Sequence, residues 1–395
     1  MAVLLKDYEE KVFKDEASAI ERLEARKATD KWYTNYINEN QVIGLANAPI
    51  VADSIIKDLE KLGKVNASDE SFKEAMADSQ FALKYATLDG YRVAPVRFTA
   101  LPSIRERAKL SGQSITNKDE KQYVQVLSPE RKGEILSEML SLYSAPCKIL
   151  VRDEKVSAMP SDAYVILNSY DLAQIFKSKI KKELGDAEFA GGIETHEFVR
   201  LNYVIKNEKI TEGIRKVFKE IGLPNAETAS VALSLVTSDV GNASATCVPY
   251  IVTDSLTLRM QEAISMPHLT GASLEKWGEK LESVGELIKD VENKLDELAK
   301  INIKNVGGCF RNIACTIGLP KDATLKVAEE FELFYEGGAT ALDVFYYLFQ
   351  VLENHAEGLK SAPTASWRLK MEGQVATALL LDFKQKDVPF EWKER

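Results

Sequence analysis

Val231-Ala-Leu-Ser-Leu-Val-Thr-Ser-Asp-Val-Gly-Asn-Ala-Ser-Ala-Thr-Cys-Val-Pro-Tyr250 has the pattern of two strands joined by a tight polar turn. Val231, Leu233 and Leu235 alternate with Ala232 and Ser234, the period of a strand with one buried face. A polar turn follows from Ser238 to Asn242, and a second strand runs to Tyr250. Working outward, Phe198-Val-Arg-Leu-Asn-Tyr-Val-Ile205 reads as a further strand. Ile210 to Ile221 reads as a helix stopped by Gly222-Leu-Pro224, because glycine just past the last turn and proline after it end a helix. Ser169 or Asp171 caps a helix to Leu184, with Leu172, Ile175, Phe176 and Ile180 inward and Gly185 at its end. Two hairpins stand upstream. Cys147-Lys-Ile-Leu-Val-Arg152 turns at Asp153-Glu154 into Lys155-Val-Ser-Ala158. Phe81 to Leu88 turns at Asp89-Gly90 into Tyr91-Arg-Val93, since Asp-Gly suits the positive φ of a hairpin turn. Strands and hairpins with interposed helices predict an α+β core over residues 81–255, a largely antiparallel sheet with helices on one face.

Both ends read as helical. Leu4, Tyr8, Val12, Ala17, Ile20 and Leu23 recur at near-helical spacing, and Ile43 to Leu62 continues the pattern up to Gly63. The turn Asn66-Ala-Ser-Asp69 leads into another short helix, so residues 1–80 are expected to be a helical segment. Near the other end, Leu274, Trp277, Leu281, Val284, Ile288, Val291, Leu295 and Leu298 step by three and four. They form an apolar seam over roughly three and a half heptads. The expectation is one long amphipathic helix lying on the chain's own helices, with a contact between copies as the competing use. Further helices are expected at 304–317, 321–335, 339–354 and about 364–382, which makes residues 256–395 a helical region.

The 395 residues are 45% hydrophobic and 28% charged, an ordinary globular composition with enough apolar surface for a sizeable core. No apolar run approaches the ~20 residues that span a bilayer. The short apolar start is followed directly by acidic Asp7, Glu9 and Glu10, unlike a secretory leader. A cytoplasmic protein is expected, in the host cell if the gene is a phage's. Cys147, Cys247, Cys309 and Cys315 form no Cys-x-x-Cys pair and sit among small or apolar neighbours, which predicts reduced core thiols. The histidines are only His196, His268 and His355, and they are scattered, so neither a metal nor a cofactor is expected.

The chemical motifs are thin. Gly307-Gly308 lacks the Gly-Lys-Ser/Thr ending of a phosphate loop, and Gly191-Gly192 precedes a strand instead of following one. Glu194-Thr-His196-Glu197 lacks the second histidine of a zinc motif, since Arg200 holds that place. The helix-turn-helix pattern from Phe310 to Phe331 has no basic second helix. No catalytic centre is expected. The net charge of −9 excludes a uniformly basic surface but leaves room for a local groove. Three basic groups sit in the mixed half: Arg92, Arg97, Arg105, Arg107 and Lys109; then Lys177, Lys179, Lys181 and Lys182; then Lys206, Lys209, Arg215, Lys216 and Lys219. Tyr91, Phe98, Tyr203 and Phe218 interleave with them. Gathered on one face they would make a single-strand groove with stacking platforms. The competing reading is a solvated face balanced by Glu183, Glu208, Glu212 and Glu220. Arg97, Arg200, Tyr203, Arg215 and Lys216 are the candidate strand-binding residues.

From about residue 95 onward the chain resembles the phage- and plasmid-borne family known as domain of unknown function 932. Ser161-Asp-Ala-Tyr164, followed by Leu167-Asn-Ser-Tyr-Asp-Leu172, resembles that family's Ser-Asp-Arg-Tyr segment leading into a helix. Thr237-Ser-Asp-Val-Gly-Asn-Ala-Ser244 is similar to its Asn-Ser-Glu-x-Gly turn between two strands. Gly338 to Leu348 resembles its helical close more loosely. Ala163 stands where that family has arginine, and Thr237 where it has asparagine. The resemblance implies a mobile-element origin and no particular activity. The favoured expectation is therefore a non-enzymatic phage, prophage or plasmid protein that binds or anneals single-stranded nucleic acid as a homo-oligomer, with no membrane partner. The alternative is a virion shell or scaffold subunit, and a third is an enzyme with a dispersed carboxylate site.

Overall fold

The opening stretch forms the middle of a seven-stranded antiparallel sheet. The computed structural model describes residues 9–45, 53–66, 70–77, 79–110, 127–261 and 263–390, and the fold is α+β. β10 (Ser230–Thr237) pairs with β11 (Ala245–Val252), Val231 opposite Ile251 and Leu235 opposite Cys247. β10 also pairs with β9 (Val199–Ile205), and β9 with β8 (Ala187–Glu194) across a bulge between Phe189 and Gly192. β1 (Lys11–Phe13) closes one edge on β8; β12 (Thr257–Arg259) and β13 (Ile264–Met266) close the other on β11. The alternation read from sequence holds. Leu201, Tyr203, Leu233, Leu235 and Ile251 face one large core, beneath α1 (Glu16–Thr29), α6 (Ser169–Leu184) and α7 (Glu208–Glu220).

The seam packs internally. α8 (Leu274–Lys280) and α9 (Val284–Ala299) run on through a 3-10 turn as a 26-residue helical stretch. Seven of its eight seam positions, Trp277 to Leu298, are buried in the chain's own core, and Leu274 is half-buried. α10 (Val306–Thr316), α11 (Lys321–Phe334), α12 (Ala341–Glu357), α13 (Ala365–Ala376) and α14 (Phe383–Lys386) complete the region. α12 is buried all round from Ala341 to Phe349, as a central helix must be. The region expected to be helical from residue 256 is not wholly so: β12 and β13 lie at its start and belong to the large sheet, and β14 (Asn302–Ile303) pairs with β15 (Ala339–Thr340).

The N-terminal expectation needs correction. α1 is the helix announced by Ala17, Ile20 and Leu23, and Asp15 caps it by accepting from Ser18 N at 2.8 Å. The chain then turns to strands. β2 (Lys31–Tyr36) pairs with β6 (Pro146–Arg152), and β3 (Gln41–Gly44) with β4 (Phe81–Thr87). Trp32, Tyr33, Thr34 and Tyr36 are residues that pack well on a pleated surface, and this outweighs a loose helical period. Of the stretch from Ile43 to Leu62, the described helix is α2 (Asp53–Glu60). The short helix after the turn is α3 (Glu70–Ala77). Leu4, Tyr8, residues 46–52 and the turn residues 67–69 lie outside the described residues.

Both hairpins form as read: β4 with β5 (Gly90–Pro95), and β6 with β7 (Lys155–Ala158). α4 (Leu101–Arg107) and α5 (Pro129–Ser141) cover these two three-stranded sheets. A second core fills the space between them, with Leu83, Leu136, Leu140, Ile149 and Val156 at its centre. α5 reaches β3 almost backbone to backbone. A Cβ on Gly44 would stand 1.9 Å from Pro129 O, and one on Gly133 2.5 Å from Gly44 N. Ser137 Oγ uses that closeness, accepting from Val42 N and donating to Val42 O at 2.8 Å each. The molecule thus has a small lobe (residues 31–159) and a large lobe, and the first 80 residues are shared between them. Cys147, Cys247 and Cys309 are buried, as their surroundings suggest, whereas Cys315 is exposed. Burial pushes the Cys147 and Cys309 thiols up to about 12. Among the described residues no helix is long and apolar enough to cross a membrane.

Candidate functional site

Two of the segments quoted for the resemblance, Ser161 to Leu172 and Thr237 to Ser244, meet where the two lobes join. Asp239, in the turn after β10, accepts from Ser169 N at 3.1 Å and from Ser169 Oγ at 2.6 Å, which ties it to the start of α6. Tyr164 Oη donates to Ser238 O at 3.1 Å, and its ring stacks on His268 at 5.3 Å. Around this knot lies a sealed ionic cluster. Arg152 Nη2 donates to Asp239 Oδ2 at 2.9 Å, and Arg152 Nε to Asp30 Oδ1 at 2.7 Å. Arg22 Nε and Arg26 Nη1 hold Glu194 at 2.8 and 3.0 Å. Arg26 Nη2 lies 3.1 Å from Asp239 Oδ2. That last contact is coulombic only, because Arg26 Nη2 is among the buried donors left without a hydrogen bond, with Arg26 Nε and Arg152 Nη1. Burial pushes the Asp239 carboxyl up, but Arg26, Arg152 and Ser169 together outweigh it and hold it below the usual carboxylate range. Three guanidiniums and three carboxylates with side chains at most 7% exposed cannot be reached by a ligand. This cluster is the bolt between the lobes.

The structure disperses the five strand-binding candidates. Arg97 is 1% exposed and belongs to the same junction, its Nη1 2.9 Å from His196 Nε2 and its Nη2 3.5 Å from Asp153. Tyr203 is a core residue, 2% exposed, with its hydroxyl donating to Glu16 at 2.8 Å, so its ring offers no platform. Both must be withdrawn from any surface groove: Tyr203 sits at a core-facing position of β9, and Arg97, just past β5, is sealed into the junction. Arg200 is half-buried on the opposite face of the sheet, bonded to Glu372 at 3.0 Å. Arg215 and Lys216 do lie together on the outer side of α7. There Lys209, Arg215, Lys216 and Lys219 line a groove with Glu208, Glu212, Glu220 and Glu227. Four cations facing four carboxylates make a solvated face without net charge. The lysines of α6 fare similarly: Lys177 pairs with Glu16 at 2.7 Å, Lys179 with Glu282 at 2.5 Å and Lys182 with Glu183 at 3.3 Å.

An open site in the small lobe keeps a cation excess beside a pair of tyrosine rings. It is a cavity of about 240 Å³ in the small lobe, walled by Lys31, Tyr33, Lys64, Phe72, Tyr85, Arg92 and Glu154. The fold builds it from three directions. In β2, Lys31 and Tyr33 share a face through the two-residue period. In the β4–β5 hairpin Tyr85 stands opposite Arg92. Lys64 joins from the segment after α2 by a backbone bridge to Arg92: Lys64 N donates to Tyr91 O at 2.7 Å, and Val93 N to Lys64 O at 3.0 Å. The Tyr33 and Tyr85 rings are 5.2 Å apart, and the Arg92 guanidinium stands 6.0 Å from the Tyr33 ring centre. Burial keeps the Tyr85 phenol protonated by raising it above its ordinary range.

Among the described residues Glu154 is the cavity's one carboxylate, 3.4 Å from Lys31. It is placed by the β6–β7 turn, where Asp153 and Glu154 have φ of 49° and 59°, both left-handed as a two-residue hairpin turn requires. That turn sends Asp153 toward Arg97 in the junction and Glu154 to the cavity. Lys64 and Arg92 are left with no carboxylate partner among the described residues, although the backbone bridge holds them side by side. Like charges so placed repel, and an anion between them relieves the repulsion. Sequence reading named Arg92 in a basic group but missed Lys31, Tyr33, Lys64 and Tyr85. The alternation of Lys31-Trp-Tyr-Thr-Asn-Tyr36 was the available signal for β2. Lys64 carried none, because its place depends on a single non-local bridge. No family model, no curated protein and no solved structure matches the chain.

Proposed function

We propose that the chain is a non-enzymatic strand-binding protein of a mobile genetic element, and that the small-lobe cavity takes one unpaired nucleotide of a single strand. The observation that carries this reading is the pair Lys64 and Arg92, unmatched by any carboxylate among the described residues, beside a cavity walled by Tyr33 and Tyr85. Phosphate oxygens neutralise such a pair, and a flat base finds ring faces to lie against. A cavity of about 240 Å³ has room for a single base and none for a duplex. The mobile-element part rests on the resemblance alone. The oligomer part has lost its motivation in the seam, which is buried within the chain.

The test is fluorescence anisotropy of a labelled oligothymidylate titrated with the full chain across a salt series. Binding is expected to weaken steeply with salt. Lys64→Glu and Arg92→Glu are each expected to weaken it by about tenfold and to flatten the salt slope by about one phosphate contact. Strand binding that is absent, or that ignores both substitutions, would overturn the reading.

A further inference from the structure

Arg200 stands in a wall between two clefts on the outer side of the seven-stranded sheet. Its Nε donates to Asn202 Oδ1 at 3.0 Å and to Ser234 Oγ at 3.3 Å, and its Nη1 to Glu372 Oε2 at 3.0 Å. The guanidinium carbon lies 4.7 Å from the centre of the Tyr250 ring. Nη2 alone has no partner among the described residues. A guanidinium fixed on this many sides has little freedom left to lose when its open edge grips an oxyanion.

The second residue of the wall is Arg368, bonded to both carboxylate oxygens of Glu353 at 3.0 and 3.4 Å. Both arginines line both clefts, but their glutamates line only one. The smaller cleft, about 330 Å³, sets Arg200 and Arg368 against Asp254, Glu353 and Glu372, an excess of negative charge. The larger, about 640 Å³, sets Lys14, Arg200 and Arg368 against Glu10 alone. Glu10 is turned aside, its Oε1 accepting from Ala365 N at 2.5 Å. The two ion pairs therefore polarise the wall, and only the larger cleft suits an anion. Its floor is apolar: Ile193, Phe198 and Pro363 line it, and Val12 stands 65% exposed beside them.

We infer that the larger cleft binds a small organic carboxylate, with its oxyanion between Arg200 and Lys14 and its apolar body against Val12 and Pro363. The site shares no residue with the tyrosine cavity, so it stands or falls independently of strand binding. Isothermal titration of the full chain with benzoate and with its uncharged isostere benzamide tests it. Benzoate is expected to bind in roughly the millimolar range, as befits so small a ligand, and benzamide at least about tenfold more weakly. Arg200→Gln is expected to weaken benzoate binding about tenfold. Because Arg200 also braces Glu372, a second variant, Lys14→Glu, changes an exposed rim residue without touching the wall, and a loss of about threefold or more is expected. No benzoate binding, equal binding of benzamide, or an affinity that neither substitution moves would each overturn the assignment.

Discussion

At the lobe junction Arg22, Arg26 and Arg152 meet Asp30, Glu194 and Asp239 out of reach of water; in the nearby cavity Lys31, Lys64 and Arg92 share one carboxylate and stay wet. A single hairpin turn serves both places, since Asp153 points to the first and Glu154 to the second. The difference is set by desolvation. A buried charge must be matched almost group for group, because an unpaired ion out of water costs several kcal/mol. A solvated cation tolerates the lack of a partner, and this leaves it available to a ligand. Arginine-rich sequence therefore marks two opposite things, and only exposure tells them apart.

The largest expected effect breaks the junction side of this comparison. Asp239→Ala removes the carboxylate facing both Arg152 and Arg26 and leaves three buried guanidiniums to share two carboxylates, Asp30 and Glu194. The loss expected in urea unfolding is about 3–5 kcal/mol. A loss below about 1 kcal/mol, the value of an exposed pair, would show the junction to be no drier than the cavity.

Next in size is the cavity side. Tyr33→Ala is expected to weaken oligothymidylate binding by about 1–3 kcal/mol, the usual worth of one stacked base. It should leave the salt slope unchanged, unlike Arg92→Glu, because a ring contributes no counterion release. Equal salt slopes for the two variants would mean that ring and cation do not serve separate roles.

A pH series sharpens the junction side further. His268 Nδ1 faces Val165 O at 3.3 Å and Nε2 faces Thr237 Oγ1 at 3.3 Å, an arrangement that suits the neutral ring with its proton on Nδ1. Burial lowers the His268 pKa, and the opposing pull of Asp239 does not restore it. The native pKa lies below the unfolded value, so below about pH 6.5 the unfolded chain binds a proton that the folded one refuses. Stability is therefore expected to fall as pH drops below about 6.5. Asp239 also has a depressed pKa, so its contribution persists through that window and is lost only as pH falls below about 4. His268→Asn should flatten the upper step and leave the lower one. An unaltered upper step would assign it to another group.

Elements whose signal is local were legible: the alternation of Val231 to Leu235, the Asp-Gly hairpin, and the apolar seam from Leu274 to Leu298. β2 carried such a signal in Lys31 to Tyr36, masked by the helical spacing before it, whereas the four residues of β3 are a strand by virtue of pairing with β4, more than 35 residues away. The site was less legible still. Arg97 and Arg92 are five positions apart in one basic group, yet one is sealed against His196 and the other opens to the cavity. Nothing in their neighbours distinguishes them. The distinction comes from Val156, whose carbonyl accepts from Arg97 N at 3.0 Å and so locks that residue over β7.

The smallest expected effect concerns α7, where the sequence promised most. Arg215 is 3.4 Å from Glu208, Lys216 3.9 Å from Glu220 and Lys219 2.9 Å from Glu227, all with exposed or half-exposed side chains. Pairs of this kind are worth little, and their field cancels within a Debye length of about 10 Å at 0.1 M salt. Lys216→Ala should therefore change unfolding by less than about 0.5 kcal/mol and strand affinity by less than about twofold. A tenfold loss of strand binding in Lys216→Ala would invert the comparison. It would mean that balanced, solvated cations recruit phosphate better than the unmatched pair Lys64 and Arg92, and the binding face would have to move from the small lobe to α7.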